Sequence, residues 1–111
     1  LNDHPTAINQ VNEIFDLITE ALRDAVANQI IDELLSVAKA GDQTSALKLG
    51  KTYTNLLVAP DYQSAYVWLS IAQAYGLENA SELLSQVADE LTLEEILAQQ
   101  EQASTMFSEI N

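Results

Sequence analysis

Along this chain apolar residues recur at spacings of three and four almost from end to end, the period of helices that each bury one face. Asp3, His4 and Thr6 are candidate caps around Pro5, a residue suited to a first helical turn. Ile8, Val11, Phe15, Ile18 and Leu22 then form one stripe, widened by Ile14 and Leu17, and predict a helix of about four turns. Polar residues at Arg23-Asp24 and Asn28-Gln29 predict a break. A second series, Val26, Ile30, Leu34, Val37 and Ala38, runs on to Gly41, a residue that ends helices because it takes the left-handed conformation without strain.

The next helix has Asp42 or Thr44 as its cap and Ala46, Leu49, Gly50, Tyr53 and Leu57 as its buried face. Gly50 in mid-helix costs about 1 kcal/mol relative to Ala, so its use predicts a neighbouring helix too close to admit a side chain. Pro60 closes a turn, Asp61 caps a helix bearing Tyr62, Ala65, Tyr66, Trp68, Leu69 and Ala72, and Gly76 stops it. Ala80, Leu83, Leu84, Val87, Ala88 and Leu91 restart the pattern. Thr92 and Glu95 have the spacing of a capping box at the head of the last helix, which carries Ile96, Ala103, Phe107 and Ile110. That helix turns polar from Gln99 to Gln102, as the exposed end of a helical stack requires.

The stops Gly41 and Gly76 are 35 residues apart, and Leu49-Gly50 and Leu84-Ser85 are offset by the same step. The frame predicts an all-α fold of about six helices, arranged as three stacked antiparallel hairpins over residues 6–41, 42–76 and 77–111 of a single domain. About three such units are the minimum at which a stack buries its own faces.

The central unit, Ser45 to Ala80, resembles the Sel1-like repeats, relatives of the tetratricopeptide repeats. The residues that carry the resemblance are Leu49, Gly50 and Tyr53 in its first helix, then Asp61, Tyr62, Ala65, Trp68, Ala72, Gly76 and Ala80. Leu56 and Leu57 stand where the family has loop glycines, and the first unit keeps only the apolar period. The resemblance implies an α-α superhelix that catalyses nothing and holds a protein or peptide on its concave face. Groove positions transferred from tetratricopeptide-like hairpins fall on Thr44, Leu47, Lys51, Thr54 and Asn55. One step of 35 back gives Asn9, Asn12, Asp16, Thr19 and Glu20; one step forward gives Asn79, Glu82, Gln86, Asp89 and Glu90. Asn12, Asp16, Leu47, Lys51, Asn55, Gln86 and Asp89 are the partner-binding candidates, with Leu47 as an apolar anchor and the amides pairing with an extended peptide backbone. The family is bacterial and often exported. The chain opens on Leu1 and not Met, so an upstream segment, either processed away or left outside the chosen boundaries, is expected; an export signal is one such segment, and a periplasmic or otherwise exported location is expected, with the cytoplasm as the alternative.

Charge narrows the partners further. The chain has 17 Asp and Glu against 4 Lys and Arg, a formal net charge of −13, and no base after Lys51. Nucleic-acid backbones and anionic membrane surfaces are therefore disfavoured as partners, since both need clustered cations. A basic partner is permitted, and two rival functions follow: an acidic decoy that imitates nucleic acid, and a structural unit that associates with itself. No segment is long and apolar enough to predict membrane insertion.

Reactive chemistry is sparse. There is no Cys, and His4 is the only His, so neither a thiol nucleophile nor a Ser/His/Asp set can be assembled. Asp89, Glu90, Glu94 and Glu95 are dense, but they lack the alternating oxygens and central Gly of a calcium loop and read as helix-end charge. Tyr53, Tyr62, Tyr66, Trp68 and Tyr75 fall at core spacing. No catalytic residue, metal or cofactor is expected.

Overall fold

The structure, a computed structural model, describes the backbone of residues 4–110 and the side chains of residues 13–110. It is all-helical, with five helices in chain order: α1 (His4–Lys39), α2 (Gln43–Asn55), α3 (Tyr62–Ala74), α4 (Ala80–Ala88) and α5 (Leu93–Ile110). α3 carries no charged residue and is buried over most of its length, including Ala65, Tyr66, Val67, Trp68, Leu69, Ile71 and Ala72. It is the hub: α2, α4 and α5 all pack on it, and α1 reaches the body mainly through α2. Leu49, Leu69 and Ile71 are the largest fully buried side chains. Each stabilises the fold by roughly 2 kcal/mol relative to an exposed side chain.

Local signals end the helices where the sequence places them. Gly41 has φ +106° and Gly76 has φ +81°, both left-handed. Beyond each glycine the chain closes back on the helix: Asp42 N–H donates to Val37 O at 3.1 Å and Leu77 N–H to Ala72 O at 3.2 Å. These are the 6→1 bonds of the Schellman motif, and the second is the first displaced by 35 residues. Asp61 caps α3 by accepting from Ser64 N–H at 3.1 Å. At the head of α5, Thr92 N–H donates to Glu95 Oε1 at 2.9 Å while Glu95 N–H donates to Thr92 Oγ1 at 3.1 Å, a complete capping box.

The first unit is a correction. Where a hairpin is expected over 6–41, α1 is one helix of 36 residues, so the described residues form five helices and not six. Nothing between Pro5 and Gly41 breaks a helix, because that interval holds neither Gly nor Pro. The polar pair that suggested a break has partners elsewhere. Arg23 Nε donates to Leu56 O at 2.8 Å, Arg23 Nη2 donates to Asn55 O at 2.9 Å, and Asp24 Oδ1 accepts from Val58 N–H at 2.9 Å. Arg23 thus caps the C-terminal end of α2, and Asp24 holds the loop that follows.

Only the inner half of α1 joins the core. Ala27, Ile31 and Ala38 are buried, with Leu34 and Leu35 packed beside them. Outward from Arg23 and its bonds to the α2–α3 loop the helix projects beyond the body, and the molecule extends 66 × 29 × 22 Å. Along the outer face of α1, Ile14, Phe15, Leu17, Ile18, Leu22 and Val26 are all more than half exposed. α4 and α5 also differ from a simple hairpin, since each packs on α3 more than on the other.

Candidate functional site

The close approach forecast by Gly50 occurs. A Cβ built on Gly50 overlaps Cγ and Cδ2 of Leu69 in α3, so the two helices meet at a point where no side chain fits. This contact forms the floor of a cleft of about 290 Å³ between α2 and α4. α2 contributes Lys51, Thr54 and Asn55 to one wall, α4 contributes Leu83, Gln86, Val87 and Glu90 to the other, and Tyr62 of α3 lines it too. The walls stay apart because both helices lean on α3 and scarcely on each other.

The charged and amide groups stand at the rim. Lys51, Asn55, Gln86 and Glu90 are exposed, whereas Tyr62 and Leu83 are half-buried and Val87 is buried. A cation on the α2 wall therefore faces a carboxylate-bearing α4 wall across an apolar base. Lys51 brings three donors, Glu90 brings acceptors, and each amide of Asn55 and Gln86 brings both. The Thr54 hydroxyl is directed to its own helix, donating to Gly50 O at 3.1 Å and Lys51 O at 3.0 Å. The backbone carbonyl of Asn55 accepts from Arg23, and the exposed Asn55 lines the cleft.

Three of the seven partner-binding candidates, Lys51, Asn55 and Gln86, thus meet in one cleft. The others do not join them. Leu47 is half-buried and packs against both parts of the core, so it is a core residue and not a groove anchor. Asp89 is exposed at the C-terminal end of α4 and does not line the cleft. Asp16 lies on the projecting half of α1, away from it. The side chain of Asn12 lies outside the described residues, as do those of His4 and Asn9. Tyr62, Leu83 and Val87 belong to the cleft although their spacing marked them as core. Their position at the edge of the apolar stripes, beside Gln86 and Glu90, was the available signal.

Elsewhere several polar groups are occupied by structural bonds. Asp42 is held below the usual carboxylate range, first by the Ser45 hydroxyl at 2.7 Å and then by that of Thr44 at 3.1 Å. Glu95 is likewise lowered, chiefly by Thr92 N–H, then by the Thr92 hydroxyl and by the Gln63 amide at 2.5 Å. Burial pushes the Tyr53 phenol up, with Asp61 and Asp32 adding to the effect. Trp68 and Tyr66 are buried in the core, and Tyr66 Oη accepts from Gln100 Nε2 at 3.1 Å. Tyr75 stacks obliquely on Phe107 with ring centroids 5.3 Å apart. Among the described residues, no three His, Asp or Glu side chains converge so as to hold a metal ion. No described helix is long and apolar enough to cross a membrane.

Compared with known protein families, with curated proteins and with solved structures, the chain has no match. The cleft itself is therefore the basis for a functional reading.

Proposed function

We propose that the protein is a non-enzymatic interaction module, built of Sel1-like helical hairpins, that holds an extended segment of a partner protein in the cleft between α2 and α4. The observation that carries this reading is a pairing of positions. Lys51 and Gln86 are 35 residues apart, Asn55 and Glu90 are 35 residues apart, and all four line the same cleft. Equivalent positions of successive hairpins that converge on one groove are how repeat stacks build a binding surface. The Schellman closures at Gly41 and Gly76, offset by the same step, support the same frame.

The lining suits a peptide in chemical terms. Amide side chains on both walls match the alternating N–H and C=O groups of an extended backbone, and the apolar base of Leu83, Val87 and Tyr62 accepts one side chain. Lys51 on one wall and Glu90 on the other fix polarity: an acidic group of the ligand belongs beside α2 and a basic one beside α4. A strongly acidic chain assists the approach of a ligand with net positive charge.

Selection from a displayed peptide library tests the reading. Enriched peptides should shift the amide resonances of Lys51, Asn55, Gln86 and Glu90. The double substitution Lys51→Ala/Asn55→Ala should weaken them by about tenfold or more while helicity is kept. Peptides that bind with undiminished affinity to that double variant would show that the cleft is not the site.

A further inference from the structure

The projecting half of α1 presents an apolar stripe that nothing in the body covers. Ile14, Phe15, Ile18, Leu22 and Val26 are between 54% and 68% exposed. At the helical period they lie on the face opposite to Ala27, Ile31, Leu34 and Ala38, which dock α1 on the body. The stripe therefore points away from the molecule.

We infer that this stripe is a dimerisation seam, in which α1 pairs with α1 of a second copy of the chain in antiparallel orientation. Three arguments select a second copy. The first is area. The five large side chains expose roughly 500 Å² per copy, so a pair removes about 1,000 Å² from water before Ala21 and Ala25 are counted, which meets the threshold of a specific interface.

The second is charge. Two copies of a chain with net charge −13 repel one another at long range, so the contact between them must add no like-charge pair of its own. Here Glu13, Asp16, Glu20 and Asp24 all fall on the body side of α1, and the residues flanking the seam are Ile14, Thr19, Ala21 and Val26. A charged foreign helix finds no ion-pair partner among the residues that flank the seam, whereas a second neutral seam needs none.

The third is register. Phe15, Ile18, Leu22 and Ala25 occupy a, d, a and d of a heptad. Antiparallel pairing centred near residue 20 sets bulky Phe15 against small Ala25 of the other copy and Ile18 against Leu22. Parallel pairing instead brings Asp32, the next d position, against its own counterpart, a like-charge contact.

Sedimentation of the full chain from low to high micromolar concentration tests the seam. The expected result is a monomer–dimer equilibrium, abolished in Phe15→Asp/Leu22→Asp with the circular dichroism of the monomer unchanged. In the cysteine-free background, Ala21→Cys should form an intermolecular disulfide in the dimer and Asp32→Cys should not. A monomer at every concentration overturns the inference, as does a stripe that binds phosphatidylcholine vesicles without self-association. A dimer untouched by the double substitution, or efficient cross-linking through Asp32→Cys, overturns the seam or its orientation respectively.

Discussion

Replacing Gly50 by Ala adds one methyl group at the tightest helix crossing in the molecule, and two opposing effects follow. Removing a mid-helix glycine stabilises α2 by about 1 kcal/mol. Against that, the new Cβ overlaps Cγ and Cδ2 of Leu69. Cγ is a branch point and not the free end of a flexible side chain, so relief requires the whole of the 1% exposed Leu69 side chain, or α3 itself, to shift. Over-packing of this kind costs about 1–3 kcal/mol, so the crossing wins and the net change is a loss of about 1 kcal/mol. Leu69→Ala alone vacates the site and costs about 2–5 kcal/mol. In that background the Gly50 substitution meets no Cγ, and only the helical gain of about 1 kcal/mol remains. The sign of the same substitution thus reverses with the partner, giving a coupling of about 2 kcal/mol in a double-mutant cycle. Urea unfolding followed by circular dichroism measures all four corners. A Gly50→Ala protein that is more stable than the wild type by about 1 kcal/mol would refute the close crossing of α2 and α3, because that is the behaviour of an exposed helical glycine.

Three further outcomes can be checked by similar means. The Tyr75 hydroxyl is buried without a hydrogen-bond partner, so Tyr75→Phe should raise stability by up to about 1 kcal/mol in the same urea assay. Arg23→Ala removes two charge-assisted bonds to the carbonyls that end α2, and should cost about 1 kcal/mol and speed amide hydrogen exchange in residues 55–58. Glu95 is held below its ordinary range when folded, so the stability it contributes is complete above the usual carboxylate range and lost as the pH falls through the lowered value. Glu95→Gln keeps a capping-box acceptor but cannot titrate, so its urea unfolding midpoint should fall less than that of the wild type as the pH is lowered from neutrality into the acid range.

The parts of the fold that were legible in the sequence are those set by neighbours along the chain. Gly41, Gly76, Asp61 and the Thr92–Glu95 pair act within a few residues of themselves, and each terminates or starts a helix where its chemistry requires. The continuity of α1 was not legible, because the polar pair that imitates a break is answered by Leu56 and Val58, more than thirty residues away. Nor could the stripe from Ile14 to Val26 reveal its fate. Periodicity identifies an apolar face but not what covers it. The same limit divides the candidate site. A step of 35 aligns Lys51 with Gln86 and brings both to the cleft, yet the frame also carries Leu47, whose place between two parts of the core depends on how α2 is rolled against α3. Tyr62, Leu83 and Val87 were assigned wholly to the core because a cleft base and a core face have the same apolar signature.

The charge-free hub α3 has a consequence for the order in which the molecule comes apart. Because α2, α4 and α5 make their main contacts with it and not with one another, no outer helix can shield the rest once α3 is displaced. Opening should therefore fall into two tiers. The part of α1 that precedes Arg23, whose described apolar side chains are exposed, can fray and re-form many times without disturbing the remainder, whereas loss of α3 is global. Amides of Val67 to Ile71 should exchange only through complete unfolding, and the transition state for folding should already contain α3 with at least one of its partners. In this respect the chain behaves less like a row of independent bricks than like a wheel, with one axle and several spokes.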